Sequence, residues 1–361
     1  MIYRQMPAIW DPHFRARFYT SWGRESAIIA AATRSVEYPD YRQLLSIKAA
    51  VGGDEEYFID GRRVAVSDDT FLILNANRTY SSRVQALNPI QSFSIFFRPG
   101  LLDDVLRAVT DSTASQLESH AEKRTAGIEF AEHIHSHDRV VSPVLRHIYT
   151  NVTRNGTDGV PDDLWFEEQL HFLLQRMLKL HYRERVRESE LSAARPATRK
   201  EIYRRLGLGV TFMHSNYREP IDLDAIASAA FLSRFHFLRA FKEVHGVTPS
   251  VYLNRHRTRV AARLLATTSL THTAIAHSVG FGSRTTLYRQ LRAANGVARS
   301  RQNGSYDARA VQLPGGSRCS WTPMASSSLS ECHPHAAPNG VGWRRSGRSP
   351  LGGAREAERA R

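Results

Sequence analysis

From residue 41 to residue 98 the hydrophobic positions come in short runs separated by turn residues. Leu44 to Ala49 is one run, and Gly52-Gly53 breaks it. Glu56 to Val64 reads as strand, Asp60-Gly61 hairpin turn and strand. Thr70 to Asn75 and Ser92 to Phe97 are two more short strands. Strands this short, with turns at this density, predict a small β-sandwich or barrel. Residues 1–40 carry only weak patterning. After Pro99-Gly100 the spacing becomes helical. Leu101, Leu102, Val105 and Leu106 share one face, and further helices are expected over Pro143–Asn151 and Pro161–Val186. The last of these is apolar on more than one face (Trp165, Leu170, Leu173, Leu174, Met177), so it must pack on its own domain or on a second subunit. Arg187–Thr198 is polar, contains Pro196 and reads as a linker.

Beyond the linker the chain is helical and repeats itself. Asp224 to Ala227 returns as Thr273 to Ala276, and Ser233-Arg234 as Ser283-Arg284. Gly246-Val247 returns as Gly296-Val297. The offset is 49 residues at Ile226/Ile275 and 50 from Ser233/Ser283 onward, because Gly282 adds one residue to the second turn. A repeat of this length holding two short helices and a turn fits two helix-turn-helix units. Asp222, Ser233, Thr271 and Ser283 stand where N-caps belong. Phe237, Phe241 and Val244 form the expected buried stripe of the first unit's second helix, and Leu287 and Leu291 that of the second. A long basic helix from Val251 to Ala266 joins the units.

Charge sharpens this division. Residues 1–197 hold 24 basic and 26 acidic side chains, about −2, whereas residues 198–297 hold 15 against 5, which is +10. A basic helix-turn-helix region suits the DNA backbone. The second helix of such a unit enters the major groove, where Arg pairs with guanine and Thr touches bases or a thymine methyl. The candidate DNA-contacting residues are therefore Ser233, Arg234, Phe235, Leu238 and Arg239, and Ser283, Arg284, Thr285, Thr286, Tyr288 and Arg289.

Residues 200–297 resemble the DNA-binding domain of the AraC/XylS family of bacterial transcription regulators. The resemblance is carried by Ile226-Ala227, by Ser233 to Lys242, by Gly246 to Leu253, and by Ile275-Ala276 through Gly280-Phe281 to Arg289. It implies two helix-turn-helix units bridged by one long helix, reading two successive major-groove segments. The β-rich part resembles, more loosely, the cupin-like companion domain of such regulators, which implies ligand sensing or dimerisation. The expected architecture is α+β: a weakly patterned 1–40, a cupin-like domain over 41–186, a linker over 187–198 and a double helix-turn-helix domain over 199–300. A disordered basic tail over 301–361 completes it. The expected function is sequence-specific transcription regulation, as an activator, in the bacterial cytoplasm at the nucleoid. Expected partners are operator DNA and RNA polymerase, with a small-molecule effector and a second copy as further candidates, and no membrane.

Rival functions have weaker support. His133-Ile134-His135-Ser136-His137 invites a metal reading, and its alternate spacing suits a strand edge, but no carboxylate or cysteine partner is recognisable in sequence, and the segment reads as a loop or helix end. No metal, cofactor or catalytic residue is therefore assigned. Residues 41–98 contain no histidine, which argues against a barrel enzyme with a helical appendage, since metal catalysis there needs clustered His and Glu. No phosphate-binding Gly-rich loop or nucleophile elbow occurs. A non-specific nucleic-acid binder acting through the basic tail is the other rival. No apolar run approaches a membrane span, and no signal peptide is expected at the start. Cys319 and Cys332, the two cysteines, lie in the tail, so no disulfide framework is expected. The repeat predicts Pro opposite Pro249, yet position 299 is Arg, and apolar periodicity stops near Ala298. Two readings stand, a frameshift in the coding sequence and a natural disordered tail.

Overall fold

A computed structural model of the chain describes residues 1–111, 128–154, 162–193 and 195–295. The expected tail, both cysteines and the break at Arg299 lie outside these residues. The architecture is α+β. The N-terminal half holds β1 (Ile2–Tyr3), α1 (Pro12–Ser21), β2 (Ala27–Arg42), β3 (Ser46–Val51), β4 (Glu55–Ile59), β5 (Arg62–Val66), β6 (Thr70–Leu74) and β7 (Thr79–Phe96). It continues with α2 (Leu101–Asp111), β8 (Ile134–Ser136), α3 (Ser142–Arg154) and α4 (Asp163–Ser189). Then come α5 (Pro196–Ser215), α6 (Leu223–Ala229), α7 (Arg234–His245), α8 (Pro249–Thr267), α9 (His272–Ser278) and α10 (Arg284–Asn295).

The eight strands form one sheet in the order β1-β2-β7-β3-β6-β8, with the β4–β5 hairpin attached along β7. The hairpin turn is as the sequence predicts: Asp60 and Gly61 both have positive φ (51° and 72°), the requirement of a type I′ turn. The first 40 residues are structured rather than loose. β2 pairs antiparallel with β7 from Ala27↔Phe96 to Arg42↔Thr79. The register shifts between Thr33 and Ser35 and again between Tyr38 and Tyr41. These bulges interrupt the alternation that would have marked the strand.

One face of the sheet (Ile47, Phe71, Ile73, Phe93, Ile95) packs against Leu101 and Val105 of α2, Leu145 and Ile148 of α3, and Leu170, Leu173, Leu174 and Met177 of α4. So α4 buries one face on its own domain, while Leu164, Phe172 and Val186 stay exposed. The opposite face clusters Tyr57, Val64, Val66, Leu72, Leu74 and Tyr80. α4 runs on to Ser189 and α5 starts at Pro196, so the interruption between halves is shorter than the polar stretch suggests. The halves touch along α5 and α8. Arg63 Nη1 donates to Ser215 O (3.0 Å), Ile134 N donates to Thr211 Oγ1 (3.1 Å), and Arg263 lies 2.8 Å from Asp68 and 3.4 Å from Asp69. In the His133–His137 segment the strand edge that the alternate spacing suits prevails at the centre over the loop or helix end. Ile134–Ser136 is an edge strand paired with β6, and Glu184 of α4 lies against it, the carboxylate partner that sequence could not supply. No described helix is long and apolar enough to cross a membrane.

Candidate nucleic-acid interface

Each unit is built from its caps. Asp222 accepts from Ala225 N (2.8 Å) and starts α6, whose Ile226 and Ala227 are buried. α6 ends in a Schellman turn: Phe231 N donates to Ser228 O and Leu232 N to Ala227 O, both at 3.0 Å, with Phe231 at φ +53°. Ser233 then caps α7 by accepting from His236 N (3.4 Å). Phe237 and Phe241 are fully buried with rings 5.3 Å apart, and this anchors the helix. The remaining surface carries the predicted residues. Arg234 is exposed and paired with Asp224 of α6 at 3.0 Å. Phe235 is 81 % exposed, an unusual position for an aromatic ring. Leu238 is half-buried. Arg239 is exposed, with Nε 3.3 Å from Glu243. Glu243 also accepts from the backbone N and Oγ of Ser192 (3.3 and 3.1 Å), which ties α7 to the stretch between α4 and α5. Burial raises the Glu243 carboxyl, but the Ser192 and Arg239 bonds outweigh it and leave it below the usual range.

The second unit follows the same plan. Thr271 caps α9 by accepting from Ala274 N (3.2 Å), and Ile275, Ala276 and Val279 are fully buried. Gly280 (φ +80°) and Phe281 close a second Schellman turn, with Phe281 N donating to Ala276 O at 2.8 Å and Gly280 N to His277 O at 3.0 Å. Ser283 caps α10 by accepting from Thr286 N (3.2 Å), and Leu287 and Leu291 are fully buried. Arg284, Thr285 and Arg289 are exposed, and neither arginine has an ion pair among the described residues. Thr286 is half-buried and its hydroxyl lies 3.1 Å from Ser283 Oγ. Tyr288 is half-buried, with its hydroxyl 2.5 Å from His272 Nδ1. Thr286 and Tyr288 therefore help hold the unit together.

The connecting helix differs from its reading as a basic strip. In α8, His256 and Arg257 are buried, and Arg257 donates to Tyr217 O (2.7 Å) and Glu219 O (2.6 Å). Arg263 pairs with Asp68 and Asp69, and its side chain is only 16 % exposed. These cations fasten the fold. The exposed arginines of α7 and α10 hold no buried carbonyl: Arg234 and Arg284 stand at the capped helix starts and Arg239 and Arg289 lie further along the same helices, and all combine charge with planar donors, the requirements of guanine and phosphate contact.

Residues 226–301 match a family described as a helix-turn-helix domain. A Streptomyces antibioticus protein named as an AraC-like transcription regulator is 40% identical over 78 residues, covering 22% of this chain and 26% of that protein. The HTH-type transcriptional activator RhaS of Escherichia coli is 29% identical over 159 residues, covering 43% of this chain and 54% of RhaS. Among solved structures, an AraC-type transcriptional regulator from Chromobacterium violaceum is 31% identical, covering 26% of this chain and 83% of that chain, with a TM-score of 0.25. The chain thus spans about a quarter and about half of the length of these two relatives, and both are named as transcription regulators. The C-terminal part of this chain is a helix-turn-helix domain of the AraC type.

Proposed function

We propose that the chain is a sequence-specific DNA-binding transcription regulator, an activator, that reads two successive major-groove segments with α7 and α10. The observation that carries this reading is the doubling of one design. Each helix begins at a serine cap, buries its stripe (Phe237 and Phe241, or Leu287 and Leu291), and turns exposed Arg234, Phe235 and Arg239, or Arg284, Thr285 and Arg289, outward. Operator DNA is the primary partner and RNA polymerase the second, in the cytoplasm at the nucleoid. The β-domain is the seat of effector sensing, and two copies pair through the exposed Leu164, Phe172 and Val186 of α4. The activator sign is supported by the named role of RhaS.

The test starts by selecting bound sites from random DNA with the full chain. At the selected operator, Arg239→Ala and Arg289→Ala should each cost about 1–3 kcal/mol while binding to random DNA changes little. Equal losses on operator and random DNA would refute base readout and leave a non-specific binder.

A further inference from the structure

Away from the helix-turn-helix units, three side chains converge at the seam between the β-domain and α5. His133 Nε2 lies 3.3 Å from Glu184 Oε1, and His135 Nδ1 lies 3.5 Å from the same oxygen. The ligating atoms of all three residues fall within 4.8 Å of one another. The side chains of His135 and Glu184 are 6 % and 8 % exposed, and that of His133 15 %. The other ring nitrogens are already committed to backbone carbonyls. His133 Nδ1 is 3.0 Å from Ile134 O, and His135 Nε2 is 3.2 Å from Ala131 O. With those N–H groups donated, the two nitrogens facing Glu184 are lone pairs. With both rings neutral, two lone pairs and a carboxylate oxygen meet in a nearly dry space, and either a proton on His133 shared with Glu184 or a bound metal ion satisfies them.

We propose that His133, His135 and Glu184 bind a divalent transition metal ion of the zinc class. The spacings fit. Ligands about 2.0–2.1 Å from a tetrahedral ion are about 3.3–3.4 Å apart, and the histidine nitrogens lie 3.3 and 3.5 Å from Glu184 Oε1. The backbone carbonyls behind the rings are the outer partners that metal-binding histidines require. His133 and Glu184 also line an open cavity of about 1250 Å³, which provides an entry path and leaves room for a water as fourth ligand. The DNA-binding half walls the site: a Cβ at Gly207 of α5 would come within 2.8 Å of the His133 ring, so this helix can lie against the histidine only with glycine there. Ligands on β8 and α4 are also joined to α5 through Ile134 N and Thr211. Metal binding at these three side chains does not depend on DNA recognition by α7 and α10, and metal alone is the probe that tests it.

The full chain, stripped with a chelator, is titrated with Co²⁺ and then Zn²⁺. One equivalent of Co²⁺ should give the visible absorption of a tetrahedral site, Zn²⁺ should displace it, and Zn²⁺ should raise the unfolding temperature. Glu184→Gln and His135→Gln should each weaken binding by more than about 100-fold, beyond the effect of losing an outer partner. Circular dichroism verifies that the variants fold, and His133→Gln provides a third variant at the more exposed ligand. A Cys319→Ser, Cys332→Ser chain should bind as tightly as the original. The proposal is overturned if the original chain shows no such absorption. It is equally overturned if the absorption survives in the folded ligand variants.

Discussion

Replacing Gly280 by alanine tests the joint between the two helix-turn-helix units, with Gly246→Ala as its control. Both glycines have positive φ, +80° and +67°. An L-residue in that region costs about 1–2 kcal/mol at either site. Around Gly246 a new Cβ meets nothing within 4 Å, so the expected cost ends there. At Gly280 the Cβ would lie 2.5 Å from Tyr217 O, 2.9 Å from Arg218 O and 2.9 Å from Arg257 Nη2. Tyr217 O is itself the acceptor of Arg257 Nε at 2.7 Å, and Arg257 is buried. The methyl must displace backbone, adding about 1–3 kcal/mol of overpacking. It also strains a charge-assisted hydrogen bond worth about 1.5–3 kcal/mol. The total is about 2–5 kcal/mol before any weakening of that bond and up to about 8 kcal/mol if it is lost, a large share of a domain's usual 5–15 kcal/mol. Amide hydrogen exchange separates the units: protection in α9 and α10 should fall by about 100-fold or more in Gly280→Ala, and in α7 and α8 by about tenfold in Gly246→Ala. Equal loss of protection in the two variants would refute the close approach of Gly280 to the carbonyls of Tyr217 and Arg218.

Phe231, the counterpart of Gly280, holds the left-handed position with an aromatic ring that is 62 % exposed. Phe231→Gly should leave stability within about 1 kcal/mol, because relief of the positive φ offsets glycine's entropy and the lost contact with Arg62; a loss above about 2 kcal/mol in denaturant unfolding would show that the ring is packed. His214 and His256 are buried with rings 4.2 Å apart, and burial pushes His214 down to about 3 and His256 well below its ordinary value. Both are neutral when folded but take a proton when unfolded below about pH 6.5, so their contribution is intact above that pH and lost as pH falls toward 3, at up to about 1.4 kcal/mol per pH unit each. Urea midpoints measured from pH 7 to pH 4.5 should show that fall, and a flat profile would contradict it. Asp68→Asn weakens the hold on Arg263 of α8 and should cost about 1–3 kcal/mol by thermal unfolding, discounted from the cost of breaking a fully buried pair because the groups are partly wet.

The caps and stripes of the helical half were legible because they are local. Asp222, Ser233, Thr271 and Ser283 each bond an amide three residues on, and the apolar stripes repeat within a helix. The strands were legible only where alternation is unbroken. β7 shows only its last third in sequence, because Pro89 falls in the register shift opposite Arg34. Sequence also invites a false equivalence. Phe231 and Phe281 each stand two residues before a serine cap, yet Phe281 is buried and matches Leu232, while Phe231 matches Gly280, as the paired bonds to Ala227 and Ala276 establish. Glu184 could not be joined to His133 and His135 by reading, since a helix and an edge strand meet there only in three dimensions.

Charge was the most misleading signal. The +10 of residues 198–297 reads as one DNA-facing supply, but Arg257 is spent on carbonyls and Arg263 on two aspartates. Arg234 and Arg239 hold exposed acidic partners that they can exchange for phosphate or base, whereas Arg257 cannot leave without orphaning buried carbonyls. Counterion release should therefore follow the exposed arginines. Neutralising Arg284 or Arg289 should reduce the slope of log affinity against log salt by about 1, and neutralising Arg263 should leave that slope unchanged while stability falls.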